Sequence, residues 1–485
     1  MLGVMSVKKK VFKPLYRLFP SSLEEKFSSG ELDVKALFLV SELSYEVLKR
    51  EGPQRHLPQD RNRDFLRGTL SNSYRTVVEG LKDAGVIQVR LSELGKESYS
   101  TEHHHSKQYS LTKKYRDELI QDGVSGMLIT DHRQLKRIYT FFSRSTENLL
   151  KEHDWLKAEV EALKRLNFQK DLADRFLKEI VDRQEFRGEP LTQGVHQALR
   201  MSINNADIVL NSDHLPHVKI KHGRVFHKLV NVHKEFRDFI TTNTGEKLVE
   251  LDMKSAQWVM LCKALAHKQK HNYTSNLIEE LIKHIDSPID ILATLPDKSV
   301  PIVKEVDRQL TVRWTPADAH HFARTVFFDD IYTELGLLKS STDYAILSGR
   351  RHPNRSAFKE ESIAESLYNY FTNPEQDVLH GDWDVRHIRS VLIDNYPTVY
   401  SFLRQCAQES TSNKRSRDLA TLMQNYEGFF FHRVLQEALK SVLEGHGYII
   451  IHDAAFVPES KAEEALHLAK KAALDCFGDD QMFSL

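Results

Sequence analysis

The segment GYIIIHDAAFVPES, residues 447–460, can bury itself only as a strand, a tight turn and a returning strand. Four residues, Tyr448 to Ile451, lead straight into His452 and Asp453, and a second apolar run follows. Surface hairpins favour Asn-Gly or Asp-Gly at such a turn, so a His-Asp pair there calls for another reason. The bland one is a turn aspartate held by local hydrogen bonds. A second acid stands in the same kind of place. KLVELD reads as a short strand ending in Asp252, followed by the helix-like SAQWVMLCKAL. A carboxylate at the end of a strand, where the chain turns away, is a usual place for a metal ligand.

The chain around these strands has 485 residues, enough for two to three domains with real cores. With 40% hydrophobic and 28% charged residues it is neither a disordered nor a membrane chain, and no apolar run approaches a bilayer span. No membrane partner is expected. Cys262, Cys406 and Cys476 lie far apart without a CxxC, which argues against a disulfide scaffold and a zinc ribbon and for a reducing, cytoplasmic compartment. The N-terminus lacks the apolar block and small-residue cleavage site of a secretory signal. The 68 basic and 68 acidic side chains cancel, so bulk charge gives no attraction to nucleic acid. Positive charge is local instead. Residues 1–22 hold five basic side chains and no acid, and Lys107, Lys113, Lys114 and Arg116 cluster farther on. A solvated tail over residues 1–30 and a solvated face are the plain readings of the two patches.

Residues 31–125 read as one small unit. VKALFLVSELSYEVLKR puts Val34, Leu37, Val40, Leu43 and Val47 on one helical face. A second short helix runs through Arg61 to Arg67. Ser71 or Asn72 caps a third, SYRTVVEGLKDAG, which buries Tyr74, Val77, Val78 and Leu81 and stops at Gly85. The strands VIQVR and YSLT follow, separated by a long polar excursion. This is the plan of a winged helix-turn-helix, whose third helix would enter the DNA major groove. Asn72, Arg75 and Lys82 on that helix and the wing segment from His103 to Lys107 are the candidate contacts; a protein-contact role is the alternative. Three adjacent histidines in an extended wing alternate sides and do not converge on a metal. Residues 126–215, rich in Leu, Lys, Glu and Arg, predict long amphipathic helices. Residues 216–485 form the remaining domain.

Two further segments of that domain carry chemistry. GRVFHKLVNVHKEFRDF precedes the Asp252 strand and contains Gly223, Arg224, Asn231 and Arg237. RRHPNRSAFKEESIAESLYNYF places Arg355 and Lys359 four apart, on one helix face, where like charges invite an anion such as a triphosphate. An ordinary solvated helix is the alternative, since Glu360 and Glu361 are adjacent.

Taken in order, these pieces resemble the palm and fingers of family A DNA polymerases, the DNA polymerase I-like enzymes. The resemblance runs over about residues 220–480: Gly223-Arg224, Asn231 and Arg237 for the first motif, Asp252 with Gln257 five later, Arg355 and Lys359 on the fingers helix, Gln424 in LATLMQNYEG, and His452-Asp453 with a following Pro-Glu. It implies an α+β fold in which the winged helix precedes a right-hand polymerase with an antiparallel palm sheet, fingers and a helical thumb-like region at 126–215. It also implies a DNA-directed DNA polymerase, a nucleotidyltransferase without proofreading exonuclease, acting in replication or defence of a phage or mobile element.

The chemistry implied is two-metal phosphoryl transfer. Asp252 and Asp453 would hold two Mg²⁺ ions, or Mn²⁺ in their place, which clamp the attacking and leaving oxygens. Arg355 and Lys359 would grip the nucleoside triphosphate, Lys359 also protonating the departing pyrophosphate, and Gln257 would meet its sugar. Arg224, Asn231, Arg237, Gln424 and His452 would hold the primer and template DNA. Three positions differ from the family pattern: Gln257 stands where the DNA enzymes carry Glu, Ala454 follows the His-Asp pair, and Ile363 takes an aromatic position. An RNA-synthesising polymerase or primase is therefore the first alternative. A winged-helix regulator with a degenerate palm is the non-catalytic one.

Overall fold

The computed structural model describes residues 12–49, 59–60, 63–90, 107–271, 273, 276–294, 316–336, 383–409 and 416–484. It is an α+β chain, mostly helical with small antiparallel sheets. It divides into two compact units, residues 1–219 with 226–248, and 220–225 with 249–485.

The first unit is organised around the strand Leu15–Pro20, buried at every position. It pairs antiparallel with Val124–Ile129, Leu15 opposite Ile129 and Pro20 opposite Val124. Residues 15–20 of the expected N-terminal tail are therefore out of water. Leu15, Leu18 and Phe19 enter the core, and Arg17 is buried with its guanidinium 4.7 Å from the Phe38 ring and 3.8 Å from Glu42. A stacked and paired cation buries at much lower cost than a bare one.

Three helices follow, Val34–Lys49, Arg63–Leu70 and Tyr74–Asp83, and then the strands Ile87–Val89 and Gln108–Leu111 with Ile87 opposite Leu111. Gln59–Asp60 adds a third strand beside Gln108–Leu111. The third helix begins after Ser73, whose side chain does not cap it. Gly85, at φ +64°, ends it as glycine past a helix terminus does.

The strand Val124–Ile129 spans the boundary expected at residue 125, and Ile138, Tyr139, Phe142, Met201 and Ile208 share one core with Leu15, Leu37 and Leu81. Apolar faces of the helices His132–Glu152 and Gln193–Leu210 need that core to leave water. Arg116 of the basic cluster is buried too and donates to the Leu111 carbonyl at 2.6 Å. Among the described residues no helix is long and apolar enough to cross a membrane.

The second unit is built on a four-stranded sheet in the order Ile449–Ile451, Ala454–Pro458, Leu248–Met253, Phe483–Ser484. Behind it the helix Ala256–His271 is buried on all sides from Ala256 to His267, as a helix inside a core must be. Lys263 is the odd member of that helix. It hides its stem among apolar groups and donates to the Ile285 carbonyl at 3.0 Å. Helices Pro316–Phe328 and Pro397–Glu409 are tied together by Asp318, which accepts from the Thr398 backbone and hydroxyl at 2.6 Å each.

Candidate functional site

The two acid-ending strands meet in the second unit. Asp252 is the exposed, next-to-last residue of Leu248–Met253, its neighbours Leu251 and Met253 being buried, as strand alternation requires. Ile451 pairs with Ala454, so His452 and Asp453 are the whole connection of the neighbouring hairpin. The Met253 N–H donates to the Asp453 carbonyl at 3.1 Å and the Lys254 N–H to the Met482 carbonyl at 2.8 Å. These bonds hold the end of the Asp252 strand between the His-Asp turn and the C-terminal strand. A cavity of about 200 Å³ opens there, lined by Asp252, Lys254, Ser255, Tyr332, Gln481, Met482 and Ser484.

Both acid-bearing bends carry a side chain in the left-handed backbone region. Ser255 has φ 54° and His452 has φ 53°. Of the two hairpin residues only His452 is left-handed, a position where the tight primed turns favour glycine. Such residues hold about 1–3 kcal/mol of strain and persist where the surrounding structure imposes them.

A hairpin and a helix carry other residues singled out by the sequence. The paired segments Lys219–Lys221 and Arg224–Phe226 turn through His222 and Gly223, both at positive φ. The helix Ser416–Phe429 passes so close that a Cβ on Gly428 would lie 2.3 Å from the Gly223 carbonyl carbon. Only glycine at 428 allows that approach. The helix then widens into a π-helical segment, Phe430–Leu435. There the buried His432 accepts from the Val225 N–H through Nε2 at 3.2 Å.

This contact sets Glu427 at the centre. Its side chain is 1% exposed, and Oε2 accepts from Arg224 Nη2 at 2.5 Å and also from Gln257 Nε2. Burial pushes its carboxyl up to about 7, opposed by Arg224 and His432 and assisted by the negative charge of Asp453. Glu427 was not among the residues the sequence singled out. The available signal was a lone acid between Tyr426 and Gly428 on a stretch with no other charge, LMQNYEGFFF.

The other predicted residues are distributed as follows. Gln424 is half-buried one turn before Glu427, and His452 is half-buried in its turn. Asn231 and Arg237 belong to the first unit, where Arg237 Nε donates to the Val232 carbonyl at 3.2 Å. Arg355 and Lys359 lie outside the described residues, as do residues 103–106 of the wing. In the helix Tyr74–Asp83 Arg75 is exposed and Lys82 is ion-paired with Glu79 at 3.1 Å, while Asn72, just before it, accepts from Arg67 at 3.3 Å. Lys107 is half-buried just before the strand Gln108–Leu111.

Among the described residues no three His, Cys, Asp or Glu side chains group to hold a metal ion by themselves. Asp252 and Asp453 offer hard oxygen donors from adjacent chain segments, a set that suits Mg²⁺ when waters and substrate phosphates complete its shell.

No family model and no curated protein matches the chain. Among solved structures it is similar to the POL domain of Pol1 from M. smegmatis in complex with DNA primer-template and dNTP, at 12% identity and a TM-score of 0.34. That match covers 64% of this chain and 54% of the other, so the chain spans about half the length of its structural relative. At that likeness, function has to be argued from the residues.

Proposed function

We propose that the second unit is a polymerase site of the family A type, a nucleotidyltransferase that extends a nucleic-acid 3′-hydroxyl on a DNA template. One observation carries the reading: the Met253 N–H to Asp453 carbonyl bond, which puts two acid-bearing chain segments side by side, with Asp252 lining a polar cavity. Positive φ at Ser255 and His452 supports it, because strain at both acid-bearing bends is stored where function needs it.

When bound, a pair of divalent cations would supply the charge that activates the 3′-hydroxyl and offsets the charge on the leaving group. Asp252 and Asp453 are the residues that would hold it. The chain's own remaining work is positioning. Arg224, fixed on Glu427, would contact the primer. Lys254 and Ser255 line the cavity with a cation and a hydroxyl suited to phosphate oxygens. Arg355 and Lys359 are the further triphosphate contacts. The helix Tyr74–Asp83 of the first unit, with Arg75 exposed, would dock on duplex DNA, and the pairing of the two activities suits replication of a mobile element or phage, or defence against one.

The test is primer extension. Purified protein is given labelled primer–template, Mg²⁺ and deoxy- or ribonucleoside triphosphates, beside Asp252→Asn and Asp453→Asn. Extension in the wild type that disappears in both variants is the expected result. Equal signal in all three proteins would mean a contaminating activity and would sink the reading. RNA synthesis is the second reading, because Gln257 stands where the DNA enzymes carry Glu.

A further inference from the structure

Lys263 is 1% exposed in the middle of a core helix, yet among the described residues no carboxylate pairs with it. Its nitrogen is held by the Ile285 carbonyl at 3.0 Å and by Cys476 Sγ at 3.5 Å. The rings of Tyr426 and Phe477 lie 5.3 and 5.4 Å from it. Burial pulls its pKa down, opposed in part by Cys476 and Asp286, so a larger share of the side chain is free amine. Cys476 is 5% exposed in the last turn of the helix Ala462–Phe477. Burial pushes its thiol up, and Lys263 draws it back. A buried thiol alone is inert, whereas a sulfur with a base beside it can shed its proton and react.

We propose that Lys263 and Cys476 form a reversible covalent bridge when the protein meets hydrogen peroxide. The Cys476 sulfur attacks one peroxide oxygen and the O–O bond breaks. The departing hydroxide takes the thiol proton, passed on by Lys263, and leaves as water. The sulfur, oxidised by two electrons, is now a sulfenic acid. The Lys263 lone pair then attacks Sγ, the S–O bond breaks, and the hydroxyl leaves as water with a proton from the nitrogen. The product is a sulfenamide, and sulfenic acids condense with backbone nitrogen in the same manner. Its remaining N–H can still donate to the Ile285 carbonyl. The flexible four-carbon stem of lysine lets the nitrogen close the 3.5 Å gap. The helix Ala256–His271 leaves the Asp252 strand, and Ala462–Phe477 leads into Phe483–Ser484, which pairs with Asp252 and Met253. The bridge therefore clamps together the two helices attached to that part of the sheet, and it holds whether or not the site is a polymerase.

The experiment is peptide mass spectrometry on the full chain, treated with hydrogen peroxide at neutral pH and digested before or after dithiothreitol. Wild type is expected to give the Lys263 and Cys476 peptides joined, at their summed mass less two hydrogens. Dithiothreitol should return them to free peptides. Lys263→Arg and Cys476→Ser, each checked for folding by circular dichroism, should give no joined peptide. The wild-type result decides alone if a variant fails to fold. Cys476 that stays unmodified, or gains only oxygen, would overturn the proposal. So would a joined peptide that survives dithiothreitol, or lysines joined equally to Cys262 and Cys406, which would mean indiscriminate cross-linking.

Discussion

Arg224 and Glu427, 203 positions apart, form a 2.5 Å ion pair whose carboxylate is almost fully buried. Losing one member strands the other. Arg224→Met should therefore cost about 3 kcal/mol. Arg224→Met with Glu427→Leu should cost less than the two single changes summed. Urea titrations of all four proteins give the coupling, and additive costs would show that the pair contributes nothing beyond packing.

Gly428→Ala should destabilise by about 1–3 kcal/mol, since the new methyl has to displace the Gly223 backbone. Gly80→Ala is the control, because nothing lies within 4 Å of a Cβ there. The control should be neutral or stabilising, as alanine is the better helix former. Thermal melts distinguish the two; a silent Gly428→Ala would mean the helix and hairpin can part.

His267 gives the protein an acid-sensitive point. Burial, then the neighbouring Lys263 ammonium, pushes its imidazole down to about 4 from an ordinary value of 6.5. Between those two pH values the unfolded chain binds the proton and the folded chain does not, so stability falls as pH falls through that window. His267→Phe should flatten the decline of Tm from pH 6.5 to 4 while changing Tm above pH 7 much less. An unaltered slope would assign the acid limb to other groups.

Arg75→Ala should weaken binding to duplex DNA and lower the salt slope of log Kd by about one, as loss of a single phosphate contact does. Lys82→Ala should do less, because Lys82 is already engaged by Glu79 at 3.1 Å. Anisotropy with a labelled duplex across salt concentrations reads both. Unchanged affinity in Arg75→Ala would point to protein contact as the role of this helix.

Much of the local structure is legible because it is written at short range. The alternation of KLVELD, the apolar run before His452 and the helical spacing from Val34 to Val47 each specify an element without reference to distant residues. The Tyr74–Asp83 helix and its stop at Gly85 are of the same kind. The N-terminal segment was misjudged for the converse reason. Its positive charge suggested solvent, whereas Arg17 is buried by a ring and a carboxylate that arrive from the Val34–Lys49 helix.

The amino-acid order alone determined the residue types and periodicities: where strands end in acids, which faces are apolar, and where glycine lets a chain pass closely. Tertiary structure decided which of those groups are neighbours. Glu427 is an unremarked acid in a helix until the hairpin brings Arg224 and the Asp252 helix brings Gln257 to the same oxygen. Periodicity reports which face of an element leaves water, but a buried charge is stabilised by specific partners from remote segments, and only folding selects them.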